Sequence, residues 1–171
     1  VTAVREAPDG TAWAATAGGL AWYDGWLWHG VSSADGAPVR AVSAMTVDTA
    51  GEVWVIAESG LHRGGRGGFR TVPMPDRDLS ARSVVRLGDG GVLVLAESAR
   101  ERTRSLLRLV FGRFSPLESP VPSSWMSVSG LHETGAGRVW LWTTRGEFTW
   151  AEEGWCRFLP FEESGTFVQL I

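Results

Sequence analysis

A pattern of about forty residues recurs four times along this chain of 171 residues. Its anchor is a turn glycine followed by an apolar pair that ends in tryptophan, as in Gly10–Trp13, Gly51–Trp54 and Gly137–Trp140. Gly91–Val94 takes the third position with Val94 in place of tryptophan, and the anchors lie 41, 40 and 46 residues apart. A steady period of this length indicates a repeat architecture, which restricts the fold more than any other feature.

Each repeat contains four short apolar, β-branched or aromatic runs separated by glycine turns, which predicts four strands per unit. The predicted strands are Thr2–Ala7, Thr11–Thr16, Leu20–Tyr23 and Trp26–Val31; Ala41–Asp48, Val53–Ala57, Leu61–Arg63 and Phe69–Val72; Ser83–Leu87, Val92–Glu97, Ser105–Val110 and Arg113–Leu117; Ser127–Glu133, Arg138–Thr143, Glu147–Trp150 and Trp155–Phe161. Four strands in about forty residues are typical of one blade of a β-propeller. We therefore predict an all-β fold, a β-propeller of four consecutive four-stranded blades.

The predicted blades cover about residues 1–38, 39–81, 82–124 and 125–165 of a single propeller segment, and Thr166–Ile171 is predicted as the first strand of a further blade. A closed ring of four blades has no place for a surplus inner strand. We therefore expect an open fragment of a larger propeller of about seven blades, with a closed four-bladed ring as the alternative. An open ring would expose apolar surface on its two end blades.

A longer motif of turn residues and aromatic residues recurs in three of the units. It consists of Asp9–Trp13 and Thr16–Asp24 in the first unit, Asp48, Gly51, Trp54 and Gly60–Leu61 in the second, and Gly137, Trp140, Thr143 and Gly146 in the fourth. This motif, most complete in the first unit, resembles the two-component regulator propeller repeat. The second unit has Ala57 where the family has threonine, and the third unit is degenerate. The resemblance therefore extends over nearly the whole chain, with differing quality from unit to unit.

The resemblance implies a non-catalytic, ligand-sensing segment of a two-component signal transduction sensor. Its location would be periplasmic or otherwise extracytoplasmic, and its ligand would be a small molecule or an oligosaccharide bound on the loop face. Further blades and a transmitter domain such as a histidine kinase would belong to the same full-length chain. Two other functions stay open: an enzyme similar to streptogramin lyase, and a scaffold for protein contacts.

Composition removes several classes of function. All 16 basic residues are arginine, so lysine-dependent chemistry such as a P-loop or a Schiff base is excluded. The net charge of −3 argues against a general nucleic-acid surface, and no apolar run approaches the ~18 residues of a membrane span. The single cysteine, Cys156, cannot form an internal disulfide. We expect no cofactor, no nucleic-acid partner and no membrane contact by this segment.

The candidate ligand-binding residues are arginines in hairpin loops. An insertion in the third unit adds residues between its second and third strands, and it carries Arg100, Arg102 and Arg104, while Arg145 occupies the corresponding loop of the next unit. Guanidinium groups bind carboxylate or sulfate through paired hydrogen bonds, and binding residues are often placed on loops of a rigid scaffold. The alternative interpretation is a solvated, charged hairpin.

No catalytic or metal-binding residues are predicted. His29, His62 and His132 fall in different units at non-equivalent positions, whereas a lyase needs histidine and carboxylates gathered at the central channel. The run Gly64–Gly68 is predicted to be a hairpin turn, because a phosphate-binding loop would lead into a helix.

The tryptophans are predicted mainly as packing residues. The anchor residues Trp13, Trp54 and Trp140 are expected to fill the space between neighbouring blades. The tryptophans on the outer strands are expected to pack between blades as well, with a platform for stacking carbohydrate as the alternative; they are Trp22, Trp26, Trp28, Trp150 and Trp155.

Overall fold

The computed structural model describes residues 1–31, 41–124, 128–134, 138–151 and 154–158. Within these ranges the chain forms sixteen strands in four antiparallel sheets and no helix. The strands are β1 (Ala3–Glu6), β2 (Ala12–Thr16), β3 (Gly19–Tyr23), β4 (Trp28–Gly30), β5 (Ala44–Val47), β6 (Val53–Ala57), β7 (Gly60–Gly65), β8 (Gly68–Thr71), β9 (Leu79–Arg86), β10 (Val92–Ser98), β11 (Thr103–Val110), β12 (Arg113–Leu117), β13 (Val128–Glu133), β14 (Val139–Thr143), β15 (Gly146–Ala151) and β16 (Gly154–Phe158).

Each sheet is a meander of four consecutive strands, and we call the sheets blades 1 to 4 in chain order. The first strands of the blades pack side by side in the order β1, β5, β9 and β13, so they form the inner edge of the assembly. Four-stranded sheets arranged around their first strands are the architecture of a β-propeller. The predicted fold class and the four strands per repeat are confirmed.

The turn between the first two strands of a blade determines the register of the repeat. Gly10, Gly51 and Gly90 adopt φ values of 81°, 83° and 85°, which favour glycine because it has no Cβ atom. Each of these three amides also donates a hydrogen bond to the carbonyl three residues earlier. The turn glycine of the third blade is therefore Gly90, and Leu93 rather than Val94 corresponds to the anchor tryptophans.

The core lies between the blades, in layers where one face of each blade meets the next. Between blades 1 and 2, Trp13 and Ala15 of β2 face Val53 and Val55 of β6. Between blades 2 and 3, Trp54 and Ile56 of β6 face Val92 and Val94 of β10. Between blades 3 and 4, Leu93 and Leu95 of β10 face Val139 and Leu141 of β14. The predicted interblade position of Trp13 and Trp54 is confirmed. The anchor tryptophans Trp13 and Trp54 face the next blade along the chain, whereas Val94 faces the preceding blade, so the assignment of Val94 as the anchor was wrong. The shift of one residue between Leu93 and Val94 reverses the face of the strand.

Blade 4 carries two tryptophans on the face opposite to blade 3. Trp140 and Trp142 alternate along β14 with Val139 and Leu141, which pack towards blade 3. Trp140 is half-buried and Trp142 is 46% exposed. The sequence therefore places tryptophan at the anchor position here as well, but this side of the blade is less covered than the equivalent face of blades 1 and 2.

Two predicted boundaries differ from the structure in blade 3. The insertion was expected to form a long loop, but Glu97 pairs with Arg104 and Ser98 pairs with Thr103, so it lengthens the β10–β11 hairpin instead. Extra residues in matching numbers on two strands add ladder pairs, which satisfy backbone groups that a loop would leave to water. The inner strand β9 also begins at Leu79, four residues before the predicted start at Ser83.

The glycine-rich run forms a hairpin turn, as predicted, because β7 ends at Gly65 and β8 begins at Gly68. Arg66 in this turn contacts blade 1, where its guanidinium lies 4.6 Å from the ring centre of Trp22 and donates a hydrogen bond to Thr11. The predicted strand Thr166–Ile171 and the anchor Gly137 lie outside the described residues. In the described ranges there is also no helix with the length and apolar character needed to span a membrane.

Candidate functional site

The candidate site is a cleft of about 630 Å³ at the inner edge of blades 3 and 4, near the β10–β11 hairpin. We call it the 3/4 cleft, and its polar and aromatic lining is Arg82, Ser83, Glu97, Arg104, Ser129, His132 and Trp142. The two inner strands β9 and β13 supply residues from one side, and the hairpin of blade 3 supplies Glu97 and Arg104. The cleft therefore combines charged groups with an exposed aromatic ring.

Both inner strands have an irregular register where they border the 3/4 cleft. In β9, Ala81 pairs with Ala96 and Ser83 pairs with Leu95, which leaves Arg82 as an extra residue. In β13 the pairing skips Ser129 in the same way. A bulge bends its strand and redirects the side chain of the extra residue, and bulges occur often beside binding sites. Two neighbouring bulges thus lie where the inner edges of blades 3 and 4 border the cleft.

A buried carboxylate holds the two arginines of the 3/4 cleft. The side chain of Glu97 is only 6% exposed, and its Oε1 and Oε2 atoms accept from Arg82 Nη2 at 2.9 Å and from Arg104 Nε at 3.1 Å. Arg104 also donates from Nη1 to the carbonyl of Val128 in blade 4. Two guanidinium groups and one carboxylate leave one positive charge at the cleft.

The two arginines differ in their exposure. The side chain of Arg104 is 25% exposed, whereas that of Arg82 is 55% exposed. Arg104 therefore joins blade 3 to blade 4, while Arg82 presents part of a positively charged group to solvent.

The aromatic wall of the 3/4 cleft is formed by Trp142, which reaches it beside Gly130. A Cβ atom at Gly130 would lie 3.4 Å from Trp142 Cε3, so the absence of a side chain leaves room for the indole ring. The imidazole of His132 lies nearly parallel to this ring, with 5.9 Å between ring centres and an interplanar angle of 7°. A half-exposed indole provides a flat apolar surface against which a ligand ring can stack.

The structure separates the four predicted ligand-binding arginines. Arg104 lines the 3/4 cleft, but Arg100 lies in the turn of the β10–β11 hairpin, where its side chain is 82% exposed and its Nη1 lies 3.3 Å from Asp78 Oδ2. Arg102 is in the same turn with a φ of 53°, and exposed Arg145 lies in the turn between β14 and β15. A ligand-binding role for these four residues stays a prediction.

Sequence reasoning missed Arg82, Glu97 and Trp142 as members of one site. Glu97 lies seven residues before Arg104 and pairs with it across the lengthened β10–β11 hairpin. This pairing could not be predicted while the insertion was interpreted as a loop. Arg82 is the first residue of the predicted third blade and precedes its predicted first strand, Ser83–Leu87. No sequence pattern marks the bulge at which it pairs with Glu97.

A second buried carboxylate, Glu133, joins three blades at the inner edge. Its Oε2 atom accepts from Thr46 Oγ1 at 2.9 Å and from the Arg86 amide at 3.0 Å, and its Oε1 atom lies 3.1 Å from Arg86 Nη2. Its side chain is buried among these donors. The geometry gives Glu133 a structural role in holding β5, β9 and β13 together.

The three histidines occupy separate environments. His29 Nε2 lies 2.7 Å from Asp24 Oδ2, and His62 Nε2 lies 2.8 Å from Ser59 Oγ, whereas His132 stacks on Trp142. Burial lowers the pKa of His62. Three hydrogen-bond donors hold the pKa of Asp24 well below its usual range, first the Leu27 amide, then the His29 ring and the Trp26 amide. No cluster of three or more potential metal ligands occurs among the residues that the structure describes.

These features define the class of the protein as a β-propeller with a charged and aromatic cleft at the inner edge of two adjacent blades. No protein-family model and no curated protein matches the chain.

Solved structures share the fold. One is a catalytically inactive variant of virginiamycin B lyase from Staphylococcus aureus, solved with quinupristin. It superimposes on this chain with a TM-score of 0.64 and 12% sequence identity, and the match covers 94% of this chain and 56% of the lyase chain. The extracellular domain of the BT4673 system of B. thetaiotaomicron, described as a one component system, gives a TM-score of 0.64 at 18% identity, and 98% of this chain matches 23% of that chain.

A second structure of the BT4673 extracellular domain, described as a hybrid two component system, gives a TM-score of 0.62 at 16% identity, with 98% and 23% coverage. The chain therefore spans between about a quarter and somewhat more than half of the proteins it resembles. At these identities the likeness establishes the fold.

Proposed function

We propose that this chain is the ligand-binding part of a sensor propeller of a two-component system. It binds a small molecule or an oligosaccharide in the 3/4 cleft, outside the cytoplasm, and does not catalyse a reaction. Further blades and a transmitter domain belong to the same full-length protein.

The observation that carries this proposal is the convergence of Arg82, Glu97, Arg104 and Trp142 on one cleft at two adjacent bulges. Charged groups around a buried counter-ion, beside an exposed indole, provide both orientation and stacking for a ligand. The fold shared with the extracellular domain of the BT4673 system supports a sensing role.

The position of the 3/4 cleft suggests how binding is converted into a signal. The lining residues come from blade 3 and blade 4, and Arg104 already bonds the carbonyl of Val128 across the boundary. A ligand that contacts both blades stabilises one arrangement of them relative to others. This shift in the population of blade arrangements would be passed to the attached domains.

A library of oligosaccharides and organic acids tests the proposal. We expect at least one compound to raise the melting temperature of the chain and to bind in calorimetry. Trp142→Ala should weaken that binding by about fivefold through the loss of ring stacking, whereas Trp26→Ala, which removes an exposed indole in blade 1, should leave it unchanged. Equal effects of both variants, or a library without any binding compound, would contradict the proposal.

A second candidate function is a lyase, because virginiamycin B lyase shares the fold. His132 is the histidine that lines the 3/4 cleft, so a lyase would use it. Incubation with quinupristin, followed by chromatography, separates the two functions. A sensor leaves the compound intact, whereas a lyase consumes it and loses this activity in the His132→Ala variant.

A further inference from the structure

We propose that the ligand of the 3/4 cleft is an acidic sugar, and that Arg82 is the residue that binds its carboxylate. This inference rests on the proposed function and adds the chemical class of the ligand and the residue that selects it. It places the anion-binding group at the bulge of β9 instead of the hairpin turn that carries Arg100 and Arg102.

Arg82 pairs with a buried carboxylate while more than half of its side chain stays exposed. Its Nη2 atom donates to buried Glu97 at 2.9 Å, while 55% of the side chain stays exposed. It makes no further hydrogen bond within the described part of the chain. Because the guanidinium is planar and carries five N–H donors in a fixed fork, the groups not used by Glu97 remain available to a carboxylate. The contact with Glu97 also limits the freedom that the side chain would lose on binding.

The charges of the cleft favour a ligand with a single negative charge. Glu97 neutralises one of the two arginines, and one positive charge remains. A carboxylate balances it, whereas a phosphate monoester, with a charge of about −1.5 to −2 near pH 7, would leave an excess negative charge beside buried Glu97. Like charges in a partly buried place repel more strongly than in water.

The remaining surface of the cleft suits a sugar ring. Trp142 offers a half-exposed indole, and Gly130 gives access to it because it has no side chain. Ser129 adds a hydroxyl group to the same lining, and Ser83, whose hydroxyl donates to the carbonyl of Leu131, adds an oxygen that can accept. An aromatic face beside hydroxyl and guanidinium donors matches a pyranose that has apolar C–H groups on one face and polar groups at its rim.

Arg82 is not the only group that compensates the negative charge of Glu97. A binding role of Arg82 can therefore be tested without leaving a buried carboxylate unpaired. Arg104 pairs with the same carboxylate and is the less exposed of the two. Replacement of Arg82 therefore leaves Glu97 with a partner, and the Arg82 variants are expected to fold. An unchanged circular dichroism spectrum and urea midpoint would verify this.

The test compares trisaccharides that differ only at C6 of one ring, where one member carries a carboxylate and the other a hydroxymethyl group. Each acidic member carries its single carboxylate on the non-reducing ring, so the two pairs are α-1,4-galacturonosyl-galactobiose with α-1,4-galactotriose, and β-1,4-glucuronosyl-cellobiose with cellotriose. Calorimetry measures their affinities for the wild type, for Arg82→Ala and Arg82→Lys, and for Arg70→Ala. Arg70 is a matched control because it is an exposed arginine that also pairs with a glutamate, Glu52.

We expect at least one acidic trisaccharide to bind the wild type about tenfold more tightly than its neutral counterpart, in line with a charge-assisted pair of hydrogen bonds. Arg82→Ala should remove this preference, Arg82→Lys should keep part of it, and Arg70→Ala should not change it. The preference should also decrease as salt is raised from low to physiological concentration.

Two other results separate the inference from the function. If the neutral trisaccharides bind as well as the acidic ones, or if Arg82→Ala leaves the preference intact, the inference is wrong while the sensing function stands. If none of the four sugars binds but other compounds of the library bind with dependence on Trp142, the sugar class is wrong. If nothing binds at all, the proposed function fails together with the inference.

Discussion

Blade 1 and blade 3 show opposite relations between repeat motif and structure. Blade 1 matches the repeat motif best, yet its strands contain 4, 5, 5 and 3 residues and its outer hairpin exposes Trp26, Leu27 and Trp28. Blade 3 has lost the anchor tryptophan, yet its strands contain 8, 7, 8 and 5 residues and every residue of β10 is buried. The blade that matches the repeat motif best is therefore not the best-packed blade.

The difference has a physical reason in the position of each blade. Blade 3 packs against blade 2 on one face and against blade 4 on the other, so both faces of β10 are apolar. On β2 of blade 1, Trp13 and Ala15 are buried against blade 2, while Ala12 and Ala14 on the other face are only half-buried. The glycines and aspartates of the motif determine the turns, whereas burial depends on the neighbours.

The largest expected effect comes from the core of blade 3. Leu93→Ala should lower the free energy of unfolding by about 3 kcal/mol, because Leu93 is fully buried between blades 3 and 4 and its loss leaves a cavity. Leu27→Ala in the exposed hairpin of blade 1 should change it by less than about 0.5 kcal/mol. Urea unfolding measures both, and similar losses would show that burial does not explain the difference between the blades.

A smaller effect is expected at the turn of blade 2. Buried Asp48 accepts from Trp54 Nε1 and from the amides of Ala50 and Glu52, all at 2.9 Å. Asp48→Asn places an N–H donor against one of these donors and should cost about 2 kcal/mol of stability. Exposed Asp9 in blade 1 accepts from the Thr11 amide, which Asn also allows, so Asp9→Asn should be nearly neutral. A loss of equal size in both variants would contradict this reasoning.

The exposed turn of blade 3 offers a stabilising change. Phe111 adopts a φ of 50° and is fully exposed, so its side chain gains no burial while its backbone is in a region that favours glycine. Phe111→Gly should raise the free energy of unfolding by about 0.5–1 kcal/mol. Phe111→Ala keeps a Cβ atom and should give no comparable gain; thermal unfolding of the two variants distinguishes strain from the mere removal of an exposed aromatic ring.

The smallest effect is a pH dependence from His62 in blade 2. Burial lowers its pKa in the folded protein below the ordinary value of 6.5, so the unfolded chain binds more protons as the pH falls through this range. The stability due to neutral His62 is therefore present above the unfolded pKa and is lost towards lower pH. His62→Gln should flatten the stability profile between about pH 7 and pH 5. An unchanged slope would show that other groups control it.

The fold could be predicted from the sequence because turn chemistry and apolar runs repeat at a regular period. Most strands were found within one to three residues of their observed ends, since glycine turns delimit them. The assignment failed at Val94, where adjacent glycines in Gly90–Gly91 made the turn ambiguous and a shift of one residue reversed the face of β10. It also failed at the insertion of blade 3, because paired and unpaired insertions look alike in a sequence.

The amino-acid sequence alone determined the four-stranded repeat, the order of the blades and the apolar faces that pack between them, because these depend on residues close together in the chain. Only the tertiary structure decided that Arg82, Glu97, Arg104 and Trp142 border one cleft. Arg82 reaches Glu97 through a bulge, and Trp142 reaches the cleft beside Gly130. These contacts depend on the register and spacing of strands that are far apart in the sequence. Packing between blades determines both, so no local sequence pattern predicts them.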